Sequence, residues 1–120
     1  MPVPPGTTLL VGPTIPAGES LSNALDVSSG LIFRILMPDA WSSEASISFQ
    51  LSIDGGKFYN VFDEYGKEII VPCIPTSVLP FRQYAMHMGA LKIRSGSLTA
   101  PIVQEATRIF GIVLDTRATV

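Results

Sequence analysis

One histidine and one cysteine limit what this 120-residue chain can do by acid–base or nucleophilic chemistry. A Ser-His-Asp relay needs an imidazole beside its nucleophile, and the only imidazole, His87, stands in the alternation Met86-His87-Met88. On a strand that spacing turns it away from both methionines, as a surface or hydrogen-bonded structural side chain. Zinc takes three or four soft ligands, which Cys73 and His87 cannot supply. Cys73 follows Pro72 and reads as a small buried hydrophobe; with no second thiol there is no intrachain disulfide.

Glycoside hydrolysis would need two carboxyl groups across one cleft. The acids Glu19, Asp26, Asp39, Glu44, Asp54, Asp63, Glu64, Glu68, Glu105 and Asp115 fall mostly at expected turns or strand ends, where a carboxylate caps backbone amides. Asp63-Glu64 and Asp54 offer hard oxygens, but the Asp-x-Asp-x-Asp-Gly spacing of a calcium loop is missing. Neither GxxxxGK[ST] nor GxGxxG occurs, and Gly89 and Gly96 are isolated. The expectation is no catalytic residue, no cofactor and no metal, and a chain that is not an enzyme.

What remains is contact chemistry. Trp41, Phe58, Tyr59, Tyr65, Phe81 and Tyr84 gather near expected turns, where they could form a sugar platform, anchor a protein contact or close the edge of the core. Lys92, Arg94 and Arg108 could pair with acids across a subunit boundary or form solvated pairs within the chain. The chain is 47% hydrophobic and 15% charged, with mean hydropathy +0.39, which leaves apolar surface for a partner unless a small β-rich core accounts for it. Eight basic against ten acidic residues exclude the positive excess that a phosphate backbone requires, so nucleic acid is not an expected partner. No apolar run approaches the roughly 20 residues of a membrane span, and Met1–Gly6 lacks the basic and apolar regions of a secretion leader. Neither membrane insertion nor conventional secretion is expected.

These side chains must be positioned by strands. Ile47, Phe49, Leu51 and Ile53 alternate with Ser46, Ser48, Gln50 and Ser52, a strand with one buried and one wet face. Asp54-Gly55-Gly56 turns it into a hairpin with residues 58–62. Leu31, Phe33, Ile35 and Met37 alternate with Ile32, Arg34 and Leu36 before Pro38, and residues 68–71 form a short apolar strand. Residues 72–83, with three prolines, read as a loop crossing between two sheets, followed by an alternation of Tyr84, Met86 and Met88. Strands over 91–95 and 106–114 close the fold, the latter alternating Ala106, Arg108, Phe110, Ile112 and Leu114 with Thr107, Ile109 and Val113. Only 20–26 and 100–105 could be helical, and both are too short. The pattern predicts an all-β fold, an antiparallel β-sandwich or jelly roll, as a single domain over residues 17–120.

Half of the ten prolines lie in residues 1–16. No helix starts there; the segment is an extended Pro-rich N-terminal arm in which Thr8–Val11 can form an edge strand. It can reach onto a neighbour, fold back along its own domain or stay unordered.

Several segments carry a resemblance: 15–22 (IPAGESLS), 37–41 (MPDAW), 48–56 (SFQLSIDGG), 91–97 (LKIRSGS) and 103–108 (VQEATR). They look like small structural proteins of tailed bacteriophages and prophages over most of residues 15–115. The resemblance implies a β-rich virion component without catalytic signature, made in the bacterial host cytoplasm: a capsid decoration or other head-surface protein. The partners it implies are further copies of the chain and the major capsid or other virion proteins. Candidate interface residues are Val3, Leu9, Leu10, Val11, Ile15, Trp41 and Tyr65. Residues 52–58 are also similar to the strand-turn-strand of discoidin-like, galactose-binding-like sandwiches, which gives the alternative of a carbohydrate-binding module of a fibre or tail protein, with a glycan as ligand. The paired cysteines frequent in those modules are absent.

Overall fold

The computed structural model describes residues 6–42, 45–80 and 89–116. Their strands are β1 (Thr7–Ile15), β2 (Leu25–Asp26), β3 (Leu31–Leu36), β4 (Ile47–Ser52), β5 (Tyr59–Asn60), β6 (Val78–Pro80), β7 (Ala90–Ser95) and β8 (Arg108–Asp115). They form two four-stranded sheets, ordered β1-β8-β3-β6 and β2-β7-β4-β5, with every pair antiparallel. No helix occurs among the described residues; the chain is the expected all-β sandwich.

The core lies between the sheets. Ile32, Ile35, Phe110, Ile112 and Leu114 come from the first sheet and Ile47, Phe49, Leu91 and Ile93 from the second, all at most 1% exposed. At one end Trp41 meets Phe110 edge-on, with ring centroids 5.5 Å apart. A buried polar cluster lies beside the core: Gln104 donates to the Ser95 hydroxyl (2.7 Å) and accepts from Arg108 Nε (2.8 Å) and Ser42 Oγ (3.2 Å). These bonds offset the cost of placing amide and guanidinium groups out of water.

β8 keeps the expected alternation, burying Arg108, Phe110, Ile112 and Leu114, although it begins at Arg108 rather than Ala106. In β3 the alternation breaks. The register with β8 shifts between Ile32 and Arg34, so a bulge at Phe33 puts Ile32 and Ile35 on the inner face together. Arg34 then lies over the Phe33 ring at 4.0 Å. β4 buries Ile47 and Phe49 and packs Leu51 against the core, as its spacing predicts. Ile53 does not follow; it lies past the strand end, in the Asp54-Gly55-Gly56 turn, and is 74% exposed. Nor is the serine face wet: Ser48 and Ser52 are fully buried, Ser48 Oγ donating to the Gly96 carbonyl (2.9 Å) and Ser52 Oγ to Asp54 (3.2 Å).

The hairpin of β4 with β5 forms, whereas residues 68–71 make only isolated bridges, Glu68 with Phe62 and Val71 with Ile47. Residues 72–77 then cross from the second sheet to the first, where β6 joins β3. The expected alternation of Tyr84, Met86 and Met88 lies outside the described residues.

The arm folds back along its own domain, one of the three courses expected of it. Residues 7–15 are extended, as expected of the arm, but they form the longest strand among the described residues and pair with β8 along its length. The boundary expected after residue 16 therefore falls inside the sandwich. The register slips between Val11 and Thr14, at Gly12-Pro13, where Gly12 takes φ +119° and Pro13 has no amide to donate.

Candidate protein-contact face

Three of the acids, Asp26, Asp54 and Asp63, are engaged in building turns. The Asp54 carboxyl is held below its ordinary range chiefly by the Gly56 N–H, with help from the Ser52 hydroxyl. Ser28 does the same to Asp26 through its hydroxyl and its N–H. Asp63 accepts from the amides of Tyr65 (2.8 Å) and Lys67 (3.0 Å). No group of three or more His, Cys, Asp or Glu stands together among the described residues, and His87 lies outside them.

Cys73 is buried, donates to the Val71 carbonyl at 3.2 Å, and has its thiol pushed up to about 12 by burial. The native protein should therefore resist iodoacetamide at pH 8 and react once unfolded, since the thiolate is the nucleophile. Below about pH 9 both states hold the proton. Above it the unfolded chain loses the proton first, so this group's contribution to stability falls between pH 9 and 12. Equal labelling of the folded and unfolded chain would contradict the burial.

The outer surfaces of the two sheets differ. On the second, Arg94 is clamped: Nη1 donates to Ser48 Oγ (3.1 Å) and Glu68 Oε2 (3.3 Å), Nη2 to Asn60 Oδ1 (2.7 Å). Asn60 also accepts from Gln50, and Glu68 from the Leu98 amide. Burial pulls the Arg94 pKa down while Glu68 opposes the shift. The pair that might have crossed a subunit boundary is thus formed within the chain, and Arg108 is hydrogen-bonded to Gln104. Lys92 lies over the Phe58 ring at 4.4 Å.

On the first sheet the outer face is apolar. Registers with β8 carry one row across all four strands, Val11–Gly111–Leu36–Val78, and beside it Leu9–Val113–Arg34. Ile109 stands opposite Thr14. Val11 is 76% exposed, Val78 54%, Ile109 52% and Leu9 45%. Gly111 is fixed by close approach: a Cβ there would stand 3.0 Å from Leu36 Cδ1, so Leu36 leans over the glycine and flattens the middle of the face. Arg34 is the charged residue of these rows, and Asp115 stands in the next, between Thr7 and Leu31.

Of the candidate interface residues, Leu9 and Val11 belong to this face. Leu10 points the other way and packs against the core. Ile15 and Trp41 are core residues, 0% and 6% exposed, and the Trp41 indole donates to the Ala45 carbonyl at 2.8 Å; neither is available to a partner. Tyr65 is exposed at a turn beyond β5, and Val3 lies outside the described residues. Buried Trp41 and exposed Tyr65 do not form one aromatic platform. A shallow cleft of about 370 Å³ beside β5, lined by Leu51–Ile53 and Tyr59–Phe62, contains neither. Ile109, Val113, Leu36 and Val78 were not among the candidates, yet β8 is apolar at Ile109 and Val113 as well as on its core-facing positions, a sign of a strand covered on both sides.

Compared with protein-family models, curated proteins and solved structures, the chain matches none.

Proposed function

We propose that this chain is a non-enzymatic structural protein of a tailed-phage particle, a capsid decoration or other head-surface protein, docking through the outer face of the β1-β8-β3-β6 sheet. The observation that carries the reading is the row Val11–Gly111–Leu36–Val78, an apolar stripe across a whole sheet whose opposite number is a closed polar network. The resemblance of residues 15–115 supplies the class of partner.

Magnitudes set how such a face works. Fully burying an aliphatic side chain contributes about 1.5–3 kcal/mol, so covering the roughly half-exposed Leu9, Val11, Val78 and Ile109 contributes on the order of 3–6 kcal/mol. That is comparable with the rigid-body cost of association, about 4 kcal/mol or more. One copy therefore binds weakly, and many copies on a lattice, or copies joined to one another, bind well.

Ile109→Asp places a charge in the face without touching the core. The variant should keep its circular dichroism and thermal transition but lose co-sedimentation with heads purified from the phage or prophage that carries the gene. Undiminished co-sedimentation would overturn the docking face.

A further inference from the structure

Sheets end in edges, and natural sandwiches shorten or charge them to avoid pairing with other chains. Among the described residues three of the four edge strands are short, two residues in β2 and β5 and three in β6; β1 has nine. None of the residues from Thr7 to Ile15 is charged. The Thr116 amide donates to the Gly6 carbonyl at 2.8 Å, and residues 6 and 116 continue the register Thr7 with Asp115. Antiparallel ladders alternate, so Thr8 and Leu10 turn their N–H and C=O toward β8 while Leu9 and Val11 turn theirs outward. Beyond the bulge the edge is closed, because Asn23 bonds both main-chain groups of Thr14. Among the described residues, the main-chain groups that this edge leaves facing outward are thus those of Leu9 and Val11, just before Gly12.

We infer that this edge pairs with a second copy of the chain, β1 against β1 about a two-fold axis beside Leu9, joining two first sheets into one of eight strands. A two-fold pairing is self-complementary. Centred on Leu9, it sets outer-face residues opposite outer-face residues, keeps the partner clear of the bulge at Gly12-Pro13, and lets the two Leu9 main chains exchange both hydrogen bonds. Absence of charge means that a second copy brings no like charge against the first. The rows through Leu9 and Val11 then run on into the other copy, doubling the apolar face. This names one partner within the proposed reading but stands on the strand edge alone, and its test uses no heads.

Sedimentation velocity of the full chain over a concentration series should show a monomer–dimer equilibrium. Val11→Lys, on the edge, should shift the dissociation constant at least tenfold toward monomer, while Ile109→Lys, on the same face but off the edge, should leave it unchanged. In a Cys73→Ser background, Leu9→Cys should form an interchain disulfide on mild oxidation, since directly bonded pairs stand about 5.5 Å apart. Val11→Cys should not, because in this register the two copies of residue 11 are four positions apart along the strand. A monomer at every concentration overturns the inference. So does loss of the dimer in Ile109→Lys with its retention in Val11→Lys, which would mean that the faces stack.

Discussion

Phe49→Ala should lower the stability of the sandwich by about 3–5 kcal/mol, measured by denaturant unfolding, the range for truncating a large aromatic in a packed core. Phe49 is fully buried in the middle of β4, opposite Ile93, and shares the inner layer with Ile47 and Leu91. Main-chain ladders to β5 and β7 hold β4 on both sides, so the strand cannot easily move in to fill the space, which puts the cost toward the upper end. Ile53→Ala, formally the next large apolar residue of the same alternation, should change stability by less than about 0.5 kcal/mol, as expected of an exposed site. Equal losses from the two substitutions would contradict the strand end at Ser52.

Arg94→Met should cost about 3 kcal/mol, the lower end for breaking one partner out of a buried ion pair. Arg94 is 5% exposed and ties Ser48, Asn60 and Glu68 together; a thioether leaves the Glu68 carboxylate with only the Leu98 amide. The second substitution separates charge from packing. Adding Glu68→Gln to Arg94→Met removes the stranded charge, so the double variant should be more stable than the single one. A double variant no more stable than Arg94→Met would contradict a stranded Glu68 charge as the source of the loss, since the glutamine still accepts from the Leu98 amide.

Much of this fold was legible in the sequence where alternation ran unbroken and a turn residue closed it. β4 with Asp54-Gly55 and the inner face of β8 follow directly from period two. The arrangement was illegible where an extra residue enters a strand. The bulge at Phe33 reverses the faces of half of β3, and nothing in Leu31–Leu36 marks it, because every residue there but Arg34 is apolar. Prolines left the arm's destination open. They suit the edge strand that Thr8–Val11 does form, but they suit equally an arm that reaches onto a neighbour, and only the pairing of β1 with β8 shows that it folds back along its own domain. Serine polarity misled on both buried serines of β4: the Ser48 hydroxyl is satisfied by the Gly96 carbonyl, 48 residues away and beyond what local spacing can show, and the Ser52 hydroxyl by Asp54 within the turn itself. For the contact face, Leu9 and Val11 could be picked out as apolar residues among prolines. Leu36 and Val78 could not, since they join the stripe only through the pairing of β3 with β6 and β8.

In the function proposed above, the first sheet and not the second meets the shell. The most direct measurement of this is co-sedimentation with purified heads of two full-length variants side by side: Ile109→Asp on the apolar face and Tyr65→Ala, 81% exposed at the far turn beyond β5. Ile109→Asp should stay in the supernatant while Tyr65→Ala pellets with the heads like the parent. Pelleting of Ile109→Asp together with loss of Tyr65→Ala would contradict the proposed docking face.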